Sequence, residues 1–202
     1  MDSRELNSVQ VLMLVARLLS ERQFDELGAL ARRDERVLHQ LVEVLGEGEG
    51  IRCFFAATSL IKAGEPAVAP LLAALEDEKY AVRQAAAMAL GDVGDRRAVA
   101  GLVGRLGDAS YEVRQAAAVS LGKLGAAEAV GSLIETMDDE HELVRKAAIN
   151  GLGMIGDRRA LPAHRRAAAA ATEAVAERAR AVIEKIEADA APWWRRMWQK
   201  RR

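Results

Sequence analysis

The chain repeats itself. Residues 77–107 laid over 108–138 without a gap match at 14 of 31 positions. The next unit, 139–169, keeps Val144, Arg145, Ala147, Ala148, Leu152, Gly153, Gly156 and Ala160 in phase. Upstream, Ile51, Arg52, Ala67, Val68 and Leu71 hold the phase with a one-residue slip near Gly64, and downstream Val175, Ala179 and Ile183 continue it into a half unit. A period of this length admits few folds. Each unit is one supersecondary element that cannot bury its apolar face alone, and a core forms only when neighbours stack.

Each unit reads as two helices. Val82, Ala86, Ala89, Leu90 and Val93 fall at i, i+4, i+7, i+8 and i+11, an apolar stripe of helical period. Gly91 and Gly94 are expected to close that helix, since glycine tolerates the left-handed conformation of a C-terminus. Asp95 can cap the next helix, from about Arg96 to Leu106, with Val99, Leu102, Val103 and Leu106 inward. No stretch alternates with period two, so no strand is expected. Aromatic residues make up only 4% of the chain, which fits thin layers of helix pairs packed on alanine.

The recurring residues Asp77, Val82-Arg83, Ala85-Ala86, Leu90-Gly91, Gly94-Asp95 and Arg97-Ala98 resemble the short HEAT-like repeat of the phycobilisome-lyase type, over roughly residues 46 to 187. The resemblance implies an all-α, right-handed α-solenoid of about five helix pairs. It implies a ladder between units, formed by an Asp six residues before an Arg: Asp77 and Arg83, Asp108 and Arg114, Asp139 and Arg145. The first unit departs, with Gly46 in the Asp position before Arg52. His164 stands where Leu102 and Leu133 sit, which predicts a looser or exposed layer near the C-terminus.

Residues 3–21, 24–33 and 35–45 read as three further helices, so 1–45 is expected to cap the array, 46–191 to hold the repeats and 192–202 to form a tail. Gly46 to Gly50 is a turn too short to link domains, and one domain is expected. Cys53 is the single cysteine, which excludes an intrachain disulfide and points to a reducing, cytoplasmic setting. The N-terminus lacks the basic start of a signal peptide, and the best apolar run, Val11 to Ala16, is far short of a membrane span.

No catalytic constellation emerges. Gly151-Leu152-Gly153-Met154-Ile155-Gly156 has the form of a dinucleotide fingerprint, but it occupies the same repeat phase as a helix end, whereas the fingerprint works between a strand and a helix. His39, His141 and His164 lie on separate units without ligand spacing. One HEAT-repeat family of iron hydroxylases uses His-Glu pairs in several repeats. Here His141-Glu142 has only Lys79-Tyr80 and Ser110-Tyr111 as counterparts. No metal or cofactor is expected, and Cys53, beside Phe54 and Phe55, reads as core.

The surface is the better candidate. In HEAT-type solenoids the helix carrying Val-Arg lines the concave face. The resemblance therefore places Gln84 and Met88, Gln115 and Val119, Lys146 and Asn150 outward on it, with Ile149 beside them and Tyr80 and Tyr111 near the rim. The strip is nearly neutral and mildly apolar, which suits a protein segment. Nucleic acid needs several cations to neutralise phosphates, and this face offers one.

The tail contrasts with the body. Residues 192–202 hold Arg195, Arg196, Lys200, Arg201 and Arg202 and no acid, which leaves 24 basic against 30 acidic residues elsewhere. Trp193, Trp194, Met197 and Trp198 would share one face of a helix, opposite Arg195, Arg196 and Lys200. That pattern fits self-packing, an anionic membrane surface or a protein partner; tryptophans beside arginines would also suit a nucleic-acid single strand, which the acidic body opposes. The expected function is a non-enzymatic scaffold that binds a protein partner on the concave face. The family name supplies an alternative, an accessory or catalytic subunit of a bilin chromophore lyase, and the tail a third, a peripheral membrane organiser.

Overall fold

The computed structural model describes residues 7–46, 51–170 and 172–189. Among these, twelve α-helices and no strand occur: α1 (Ser8–Ser20), α2 (Phe24–Ala31), α3 (Glu35–Gly46), α4 (Ile51–Ala63), α5 (Val68–Ala74), α6 (Tyr80–Val93), α7 (Val99–Arg105), α8 (Tyr111–Lys123), α9 (Val130–Thr136), α10 (Glu142–Ile155), α11 (Leu161–Ala170) and α12 (Glu173–Asp189). They stack in two layers. Helices α2, α4, α6, α8, α10 and α12 pack in succession to form one, and the shorter α5, α7, α9 and α11 lie against them as the other. The fold is an α-solenoid. No described helix is long and apolar enough to cross a membrane.

The core runs the length of the array between the layers. Leu71, Leu90, Leu102, Leu121, Leu133 and Leu152 are all fully buried, each contributing about 2 kcal/mol of apolar transfer. α2, within the first 45 residues, packs on α4 in the same layer.

Glycine sets how closely that layer packs. Gly94 and Gly156 end α6 and α10 in the left-handed region, at φ +80° and +72°, and donate back to the carbonyls of Leu90 and Leu152. Gly91 does not close α6. It is buried inside the helix, where a Cβ would lie 2.6 Å from the Cβ of Ser120. Between α8 and α10 the approach is backbone to backbone: a Cβ on Gly122 would stand 2.6 Å from the Cα of Gly151. Asp95 and Asp157 each accept the amide two residues on, at 2.9 Å, and so cap the short 3-10 turns that lead into α7 and α11.

His164 corrects the expectation of a loose or exposed layer. It is fully buried in α11, and neither ring nitrogen has a hydrogen-bond partner among the described residues. Burial depresses its pKa to about 4. The position keeps the packing role of Leu102 and Leu133, and the imidazole fills leucine's place as a neutral ring.

Candidate functional site

The loops that lead into α6, α8 and α10 carry the Asp–Arg ladder. Arg83 grips Asp108 with Nε and Nη2 at 2.8 Å each, while its Nη1 donates to the carbonyls of Asp77 and Glu78. Arg114 repeats this on Asp139, at 2.8 and 3.0 Å, and on the carbonyls of Asp108 and Ala109. Each arginine thus fastens its own loop and the next unit together. Each Asp also accepts an amide two residues on: Lys79 for Asp77, Ser110 for Asp108, His141 for Asp139. Burial pushes the Asp108 and Asp139 carboxyls up, but the partner guanidinium and the amide hold both below the usual carboxylate range. Among the described residues Arg145 donates to the carbonyls of Asp139 and Glu140 alone. Its counterpart 25 residues on would be Ala170, so the ladder stops there.

Beside the ladder, Tyr111 stacks on His141, with ring centroids 3.8 Å apart and planes within 14°. The Glu112 carboxylate raises the Tyr111 phenol above its ordinary range, and the Ser110 hydroxyl, 2.6 Å from Glu112, lowers the carboxyl in turn. Tyr80 stands half exposed at the equivalent place on α6.

Along the long-helix layer the outward positions form one strip. Met88 is 50% exposed, and Gln84, Gln115, Val119, Lys146 and Asn150 are partly exposed. Lys146 is held by Glu142 at 2.6 Å, so the strip is close to neutral. Ile149 does not belong to it. It is fully buried, on the side of α10 that carries Gly153, whose added Cβ would meet Val182 of α12. Outside the expected strip, Val9, Leu12 and Met13 on α1, Phe54 on α4, and Leu143 and Met154 on α10 are exposed apolar residues, Met154 at 49%. Met154 shares its repeat position with Asp92, Lys123 and Lys185, so the period gives no apolar signal there.

Near its C-terminal end the strip deepens into a groove of about 430 Å³ between α8, α10 and α12. Val119, Met154 and Ala181 give it apolar walls, and Asn150, Arg178 and Lys185 border it. Among the described residues no group of three His, Cys, Asp or Glu side chains is placed to hold a metal ion. Cys53 is partly buried against the core, and burial raises its thiol pKa. The tail residues Trp193, Trp194, Arg195, Arg196, Met197, Trp198 and Lys200 lie outside the described residues.

A family model described as HEAT repeats matches residues 24–118 and again 99–184. The chain belongs to the HEAT-repeat family. Comparison with curated proteins finds no match. Among solved structures, the HEAT-repeat chain is similar to the complex of CpcE and CpcF of phycocyanin lyase from Nostoc sp. The TM-score is 0.69 at 26% identity, over 74% of this chain and 99% of that one. A designed armadillo repeat protein in complex with a (KR)4 peptide has the same fold, with a TM-score of 0.59 at 23% identity over 87% of this chain and 91% of that one. So has human deoxyhypusine hydroxylase in complex with glycerol, with a TM-score of 0.54 at 21% identity over 90% and 80%.

Proposed function

We propose that this HEAT-repeat chain is a non-enzymatic scaffold that binds a protein segment along the strip from Met88 to Met154. The supporting observation is the continuity of the strip: exposed or half-exposed Met88, Val119 and Met154 stand on three successive helices, bordered by amides. Exposed apolar side chains that line up across helices mark interaction surfaces, and a solenoid supplies extended surface rather than a convergent set of reacting groups. Two of the similar structures are complexes, one between two proteins and one with a peptide. The test is a pull-down from the native organism with the full chain and with a Met88→Glu, Val119→Glu, Met154→Glu variant of matched thermal stability. Loss of a protein that the unaltered chain captures is expected. An identical captured set with both would sink the proposal.

The likeness to the phycocyanin lyase complex favours a second reading, an accessory subunit in bilin attachment. Mixing the chain with a bilin and a candidate acceptor protein, then following visible absorption, separates the two. No spectral change with any acceptor counts against this reading and leaves the scaffold proposal intact.

A further inference from the structure

Arg83 and Arg114 divide their guanidiniums in the same way. Nη1 anchors on two carbonyls of its own loop, and the Nε–Nη2 edge takes both oxygens of the Asp 25 residues on, as in Arg83 with Asp108 and Arg114 with Asp139. Arg145 keeps the anchor, with Nη1 at 2.8 and 2.9 Å from the carbonyls of Asp139 and Glu140. Residues 167–171 are all alanine, so the chain offers no carboxylate at the next rung. Neither Nε nor Nη2 of Arg145 has a partner among the described residues.

At that rung lies a cavity of about 510 Å³, lined by Arg145, Arg166, Thr172 and Asp138, with Ala163 and Val175 as apolar walls. Arg166 likewise pairs with no described residue. Asp139, also at the cavity, is already held by Arg114 and the His141 amide. Two arginines therefore line this space beside Asp138, with Glu142, bonded to the Thr172 hydroxyl and paired with Lys146, next to it.

We propose that Arg145 and Arg166 form a carboxylate-binding site that completes the ladder from outside the chain. Arg145 presents two parallel N–H donors in the geometry that binds both oxygens of a carboxylate, and its anchor fixes that fork before any ligand arrives. The ligand is an aspartate-type carboxylate, borne on an acidic side chain of a bound protein or on a small free acid. The site lies at the loop edge and does not depend on the reading of the inner strip.

The arginine Nε–H NMR signals of the full chain report on it directly. Titration with N-acetyl-aspartyl amide and with succinate is expected to shift the Arg145 signal saturably. A preference for the aspartyl amide assigns the site to a protein side chain, and equal or tighter succinate binding assigns it to a free acid. Ala170→Asp puts an aspartate at the next rung's position in the repeat register without removing either arginine. It should move the Arg145 signal as the ligand does and weaken titrant binding by at least about tenfold. Arg145→Lys, which keeps the charge but loses the fork, should weaken it similarly. No saturable shift with either acid, undiminished binding by Ala170→Asp, or equal binding of inorganic phosphate would overturn the assignment.

Discussion

Arg114 closes on Asp139 across the seam between two repeats, with Nε 2.8 Å from one carboxylate oxygen and Nη2 3.0 Å from the other. Both side chains are about nine-tenths buried, at 9% and 10% exposure. Removing one partner leaves the other charged and desolvated, so Arg114→Ala should lower stability by roughly 3 kcal/mol. Arg96 and Glu128 make an equally short but exposed contact, and Arg96→Ala should cost less than about 0.5 kcal/mol. Urea unfolding of the two variants measures the contrast. Equal losses would mean that burial does not set the strength of these pairs.

Glycines of the same helical type should respond with opposite sign. Gly122→Ala drives a methyl into the backbone of Gly151, and forcing α8 and α10 apart should cost about 2 kcal/mol. Gly104 in α7 has nothing within 4 Å of an added Cβ, so Gly104→Ala should gain about 0.5–1 kcal/mol from helix propensity and reduced freedom of the unfolded chain. Midpoints of thermal unfolding should move apart accordingly.

His164 ties stability to pH. Its pKa falls from 6.5 to about 4 on folding, so between those values the unfolded chain holds the extra proton. Its contribution is therefore full above pH 6.5 and is lost as pH falls, by roughly 3 kcal/mol at pH 4. His164→Leu restores the residue found at Leu102 and Leu133. The difference in stability between the unaltered chain and this variant should widen steadily from pH 7 to pH 4.5. A pH-independent difference would contradict the burial of a neutral ring.

Ile149 and Met154 separate core from surface on one helix. Ile149→Glu buries a charge without a partner and should destabilise by more than about 4 kcal/mol. Met154→Glu changes a half-exposed side chain and should stay within about 0.5 kcal/mol. Circular dichroism melts of the two variants distinguish them before any binding assay is read.

The repeat period carried most of the architecture. Helix pairs, their phase, the Asp and Arg of each rung and the capping Asp95 are local features. The caps and helix stripes depend on residues a few positions apart, and the Asp and Arg of each rung recur 31 residues at a time although the pairs they make span 25 residues. Gly91 was misleading because glycine serves two purposes that look alike in one dimension: ending a helix with positive φ, and letting another backbone approach. Only the position of Ser120 tells them apart. His164 was misleading for a related reason. A polar residue in a leucine register reads as exposed, but the neighbouring helices enclose that position whatever occupies it.

By itself, the sequence determined that this chain stacks helix pairs around leucine and alanine, and its resemblance to HEAT-like repeats implied that Asp and Arg join successive units. Tertiary structure decided which outward positions remain exposed, that Met154 rather than Ile149 is exposed on α10, and that Arg145 lines an open cavity. Periodicity reports which residues are equivalent within a unit. Exposure at the seams and at the last unit depends on what the neighbouring unit places opposite, and a repeat pattern does not encode that.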